Sequence, residues 1–206
     1  MPFERHSIRY DHWFLKHETI YHSELRAIRS LMPAKGKSIE IGVGSGRFAA
    51  PLGITLGVEP SQKMARIARR RGIKVIEAIA EKLPFAHNQF DLVFMVTTIC
   101  FVDDIQQSVS EIYRILKPGG CFINAFIDAD SPLGQAYQTH KAKNVFYQEA
   151  SFFSTDEIIK YLKKAGFTEF SFAQTIFHNP GEIKKIEPVK SGYGEGSFIV
   201  VKAIKT

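Results

Sequence analysis

The sequence predicts an α/β fold: a doubly wound, mostly parallel, seven-stranded sheet with helices on both faces. Three observations predict it. Strand-like and helix-like segments alternate without a break between residues 38 and 127, the pattern of a chain that crosses over a sheet after each strand. The strand-like segments are continuous apolar runs, as in FDLVFMV at 90–96, which suits a sheet covered on both sides. The first of these runs stops at GVGSG (42–46), at the strand end where doubly wound folds bind ligands.

Each element carries its own signal. Between residues 11 and 31, Phe14, Ile20, Tyr21, Leu25, Ile28 and Leu31 approximate one helical stripe. Asp11 is its expected N-cap, and Pro33 and Gly36 end it. Strands are expected at 38–41, 54–58, 73–79, 90–96 and 121–127. Ser61 caps a helix that stops before Gly72. Asp103 or Asp104 opens another that runs to about Leu116, with Ile105, Val109 and Ile112 on its apolar side. Residues 128–153 are rich in turn formers and weakly periodic, and read as an insertion on the substrate side. Ser154 or Thr155 then caps a helix, with Glu157 placed for a capping box and Gly166 as the stop. Two further strands, 167–177 and 196–204, are joined by a surface loop that starts at Asn179-Pro180-Gly181. A single domain over 1–206 is expected, with 1–36 as a helical lid segment.

Composition narrows the function. The 206 residues suit one domain, and 45% hydrophobic with 23% charged residues is ordinary for a globular protein. No apolar run approaches the roughly 18 residues of a membrane span, and MPFERHSIRYDHWF has no apolar leader core. A cytoplasmic protein is expected. Cys100 and Cys121, the two cysteines, lie in apolar stretches and read as reduced core thiols. His12, His17 and His22 are spaced so that a helix turns them away from one another, and no metal set is expected. The net charge of +6 admits nucleic acid as a partner. However, its densest cluster, Arg66, Arg69, Arg70 and Arg71, falls at a helix end, where the dipole favours cations for stability alone.

The glycine loop is the main functional signal. A dinucleotide fingerprint places its third glycine five residues after the first. Here that position is Arg47, and the third glycine, Gly46, comes one residue early. The loop also lacks the lysine and hydroxyl of a P-loop. Glu59 follows the second strand, where a carboxylate accepts hydrogen bonds from ribose hydroxyls. Loop and carboxylate together predict a nucleoside ligand.

At this point the chain resembles the class I S-adenosylmethionine-dependent methyltransferases, in the subgroup of the ubiquinone and menaquinone methyltransferases. Four segments carry the resemblance, in order: IEIGVGSGRF (39–48), GVEPS (57–61), AEKLPFAHNQFDLVFMVTTICFVDD (80–104) and EIYRILKPGGCFI (111–123). YDHWF (10–14) is similar to the lead-in segment of some members. The resemblance implies a Rossmann-like methyltransferase fold and S-adenosyl-L-methionine as methyl donor, with S-adenosyl-L-homocysteine as product. It implies that Glu40 and the backbone of Gly42, Val43 and Gly44 hold the methionine part. It gives Glu59 to the ribose, Pro60 and Met64 to the adenine side, Ala80 and Glu81 to the adenine edge, and Thr97 to the reacting centre. Ile79 departs from the pattern, since many members have an aspartate there that accepts a bond from the adenine amino group.

Methyl transfer of this kind is an in-line displacement that needs alignment and a dry site. Tyr10 and Trp13 are candidates to face the sulfonium, because aromatic faces attract cations. Phe14 reads as packing. Asp103, Asp128 and His140 lie near the expected mouth. His140 is the general-base candidate, since an imidazole exchanges protons near neutral pH. Asp91, at the far end of its strand, reads as structural. A small-molecule acceptor is favoured over nucleic acid or protein. The alternatives are a non-catalytic binding protein that keeps the fold, a tRNA or protein methyltransferase, and a dehydrogenase, against which the displaced glycine argues.

Overall fold

The computed structural model describes residues 2–206. Its sheet comprises β1 (Ser38–Ile41), β2 (Leu56–Val58), β3 (Lys74–Ile76), β4 (Phe90–Val96), β5 (Leu116–Ile127), β6 (Phe167–Thr175), β7 (Lys190–Ser191) and β8 (Phe198–Lys205). The spatial order is β3-β2-β1-β4-β5-β8-β6-β7. The strands from β3 to β5 are parallel, and β8 runs antiparallel between β5 and β6. The order reverses at β1, which pairs with β2 on one side and β4 on the other. A crevice opens at such a switch point, beyond the strand ends.

The central strands β1, β4, β5 and β8 are buried on both faces, as the apolar runs predict. Along β4, Leu92, Phe94 and Val96 join one core cluster, while Val93 and Met95 join the other. That alternation follows from the two-residue period of a strand. The first cluster lies under α2 (Glu18–Leu31), and the second under α4 (Ile105–Ile115) and α6 (Thr155–Ala165). Phe90, Phe94, Phe122, Phe167 and Phe198 are fully buried, and burying each contributes about 2–3 kcal/mol.

The capping signals hold. Ser61 Oγ accepts from Met64 N at the start of α3 (Gln62–Arg70), and Asp104 accepts from Gln107 N at 2.9 Å to start α4. Ser154 and Glu157 form the expected capping box of α6, which ends at Gly166.

Four expectations are corrected. The predicted helix from Asp11 is two helices, α1 (Pro2–Lys16) and α2, broken at His17 (φ −124°, ψ 45°). Asp11 therefore lies inside α1 and caps nothing. The seven expected strands become eight because the predicted surface loop contributes β7, pairing with Ala173 and Gln174 at the sheet edge. That loop also folds inward: Glu187 is buried, its N–H donates to Ser23 Oγ at 2.8 Å, and its carboxylate accepts from Phe177 N and meets His178. Finally, the weakly periodic insertion contains α5 (Pro132–Thr139), capped by Ser131 through Gly134 N.

Candidate active site

The glycine loop leaves β1 and turns back over the end of β2. Gly42 N and Val43 N both donate to Val58 O, at 2.8 and 2.9 Å. Gly42 sits at φ +71°, and a Cβ placed there would come within 2.2 Å of the Thr98 side chain. Only glycine allows that approach. Thr98 Oγ1 in turn donates to Gly42 O at 3.1 Å.

Glu59 enters the crevice just after β2. Its Oε2 accepts from Gly44 N at 2.9 Å and its Oε1 from Ser61 N at 2.9 Å. Burial raises its pKa, and these two N–H donors pull against that rise. Each oxygen keeps a further lone pair for another donor. Glu40, at the end of β1, is 2% exposed, and its Oε2 has no hydrogen-bond partner among the described residues. Burial, helped by the neighbouring Glu59 charge, lifts its pKa well above the usual carboxylate range. An unpartnered buried carboxyl oxygen is costly. Beside a glycine cradle and a second carboxylate, it suits a ligand carrying an ammonium next to a nucleoside. The residues present therefore fit S-adenosylmethionine.

The other expected cofactor positions stand as follows. Met64 is buried, and its Cε lies 3.4 Å from where a Cβ of Gly44 would be. Pro60 is exposed at the edge, and Ala80 is buried. Ile79 is 49% exposed, an apolar surface where an aspartate would offer an acceptor. The Glu81 carboxylate accepts from Asp103 N at 2.8 Å and Asp104 N at 3.3 Å, so it organises the turn into α4. Thr97, the residue after β4, sits at φ +49°, a costly conformation for a β-branched residue of the kind that collects at functional sites. Its N–H is tied to Ala125 O at 2.8 Å.

Above the glycine loop lies α1, held at two points. Glu4 accepts from Ser61 Oγ at 2.6 Å and from Lys63 N at 3.1 Å. Asp11 receives Arg47 Nε and Arg71 Nη2, each at 2.9 Å. Burial opposes the Asp11 charge, but Arg71 and Arg47 win and hold its pKa down to about 2. The predicted cationic cluster is thus structural in part: Arg71 serves this pair, and Arg69 meets Val75 O and Glu77. Because the folded-state pKa is depressed, the Asp11 contribution is present above the unfolded value and fades as pH falls through it towards about 2. Asp11→Asn is expected to cost roughly 2 kcal/mol at neutral pH. In urea titrations the gap to wild type should shrink between about pH 4 and about pH 2. An equal gap at both pH values contradicts the ionic account.

Tyr10 projects from α1 to the junction of two spaces. It lines the crevice with Glu40 and Gly44, where about 10 Å³ remains between helix and loop. It also lines a larger cavity of about 300 Å³. Burial raises its pKa, Thr97 is the polar neighbour of its hydroxyl, and Glu24, Glu40 and Glu59 add to the rise. The larger cavity is walled chiefly by aromatic side chains, among them Trp13, Phe101, Tyr137 and Phe146. Trp13 stacks on His17 at 4.5 Å. Phe14 packs edge-on against Tyr10, Trp13 and Phe48 while touching the cavity.

Some expected residues stand elsewhere. His140 is the exposed end of α5, its Nδ1 set against Ala136 O at 2.9 Å, and it lines neither space. That position does not suit a general base. Asp128 is buried and accepts from Asp130 N, Thr155 N and Thr155 Oγ1, so it fastens the insertion to α6. Asp103 is exposed. Asp91 pairs with Lys117 at 2.9 Å at the far end of the sheet, as a structural residue should. Cys121 is a core thiol, but Cys100 lines the large cavity, its thiol pushed up to about 12 by burial.

Sequence reasoning missed Glu24, which is 5% exposed and lines the large cavity. A signal existed, since Ile20, Glu24 and Ile28 recur at four-residue spacing and one of that buried stripe is a carboxylate.

A glycine loop between paired carboxylates, at the switch point of a sheet with an antiparallel β8, defines a class I S-adenosylmethionine-dependent methyltransferase, and the chain belongs to that family. A methyltransferase-domain family model matches residues 39–124. The chain is 52% identical to a SAM-dependent methyltransferase of Thermotoga maritima, a possible histamine N-methyltransferase; the match has a TM-score of 0.97 and covers 100% of this chain and 99% of that one. It is 44% identical to an uncharacterised protein of Methanocaldococcus jannaschii over 98% of both chains. A demethylmenaquinone methyltransferase of Chlorobaculum parvum is 29% identical over 68% of this chain and 69% of its own length. No helix among the described residues is long and apolar enough to cross a membrane.

Proposed function

We propose that the protein transfers a methyl group from S-adenosylmethionine to a small organic acceptor held in the 300 Å³ cavity, by in-line displacement. The observation that carries this reading is the junction at Tyr10, whose ring borders both the crevice and the cavity. Glu40 and the backbone of Gly42, Val43 and Gly44 hold the amino-acid end of the donor. Glu59 takes the ribose, and Met64, Pro60, Ile79 and Ala80 flank the adenine. When bound, the donor supplies an electrophilic methyl on a sulfonium. Tyr10 presents a π face towards that cation, an interaction worth about 1–2 kcal/mol in a dry site. Trp13 and the other aromatic walls exclude water, and α1 serves as the lid. The volume supports a small molecule, since ligand pockets of this size hold one.

Calorimetric titration tests this. Saturable binding of S-adenosylmethionine and S-adenosylhomocysteine, with none of NAD, is expected. NAD binding, or the failure of both sulfur ligands, rejects the assignment.

A further inference from the structure

Glu24 is a carboxyl where the helix calls for an apolar residue. It lies one turn from Ile20 and one from Ile28, on the face that α2 turns towards the sheet. Its neighbour Ser23 is satisfied by Thr19 O and Glu187 N. Glu24 has no hydrogen-bond or ion-pair partner among the described residues, and burial alone pushes its pKa up to about 8. Leaving such a group unpaired costs stability that a leucine would not. What it faces is the large cavity. It is the one carboxyl in that lining, and Arg9, the one cation there, is exposed at the rim over Phe146. The titratable groups that face Glu24 are phenols: Tyr10 from α1, Tyr21 on its own helix and Tyr137 from α5. The cavity thus offers one acidic group inside an aromatic shell, a combination that favours a cation with an apolar body.

We infer that Glu24 is the acceptor-binding residue, and that the methyl acceptor is a small amine with an apolar or aromatic body, bound as its ammonium against the Glu24 carboxylate. This rests on the methyl-transfer reading above. The ammonium passes one proton to the carboxylate, freeing the nitrogen lone pair. The lone pair forms the N–C bond as the C–S bond breaks, and that bond's electron pair stays on sulfur. The methylated ammonium and the neutral thioether leave, and the proton on Glu24 goes to solvent.

The test uses protein saturated with S-adenosylhomocysteine and three matched pairs of probes: benzylamine, phenylethylamine and tryptamine, each beside its alcohol. Calorimetry in two buffers of different ionisation enthalpy reads affinity and proton exchange together. At least one amine should bind about 10-fold or more tightly than its alcohol. Near neutral pH its binding should also release a proton from Glu24, a release the alcohol does not cause. In Glu24→Gln the preference and the proton release should both vanish, with S-adenosylhomocysteine affinity unchanged. The inference fails if no amine outbinds its alcohol, or if the preference survives Glu24→Gln. It also fails if that variant weakens S-adenosylmethionine but not S-adenosylhomocysteine, which would put Glu24 against the sulfonium instead. Loss of binding of both sulfur ligands by wild-type protein is a different result, and overturns the methyl-transfer reading itself.

Discussion

Glu59→Gln is expected to lower affinity for S-adenosylhomocysteine by about 100-fold, close to 3 kcal/mol. The carboxylate already accepts Gly44 N on one oxygen and Ser61 N on the other. A carboxamide has one accepting end, so it cannot hold both backbone groups and still receive two ribose hydroxyls. Calorimetry reads the affinity, and circular dichroism checks that the variant is folded. A folded Glu59→Gln protein that binds as wild type does removes Glu59 from the ribose site.

Gly42→Ala should be more damaging still, because two costs add. A left-handed residue other than glycine costs about 1–2 kcal/mol. The new methyl would also stand 2.2 Å from Thr98 Cγ2 and 2.5 Å from its Oγ1, and overpacking adds about 1–3 kcal/mol. Gly53 supplies the control: it has φ +73°, yet a Cβ there meets nothing within 4 Å. Gly53→Ala should show the backbone cost alone and keep its ligand affinity. If the two variants unfold at the same urea concentration, the Thr98 approach is not what requires glycine at this position.

Much of this was legible in the sequence, for identifiable reasons. β4, α3 and α6 carry local signals, either a continuous apolar run or a side-chain cap within three residues, and local signals survive into the fold. GVGSG and Glu59 were legible because backbone chemistry at a strand end allows few residue types. The break at His17 was not, since no glycine or proline marks it and the apolar spacing continues across it. β7 was equally hidden, because two residues become a strand only by pairing with Ala173 and Gln174 from a distant element. His140 has the chemistry of a general base, but its place at the end of α5 depends on where the Ser131 cap starts that helix. Glu24 was missed through reading the helix for its apolar residues rather than for the one that broke the pattern.

The two-point fastening of α1, at Glu4 and Asp11, bears on the order of events in a catalytic cycle. With about 10 Å³ between Tyr10 and the glycine loop, no more than one water's room, a donor bound as proposed would require α1 to move and to break its contacts to Ser61, Lys63, Arg47 and Arg71. The same helix supplies part of the acceptor's wall through Tyr10 and Trp13. Under the proposed function, donor first and acceptor second is then the expected sequence of arrival, with the thioether product leaving last. On that reading the Asp11 ion pairs with Arg47 and Arg71 set how long it stays, and added salt, which screens them, is expected to shorten its residence.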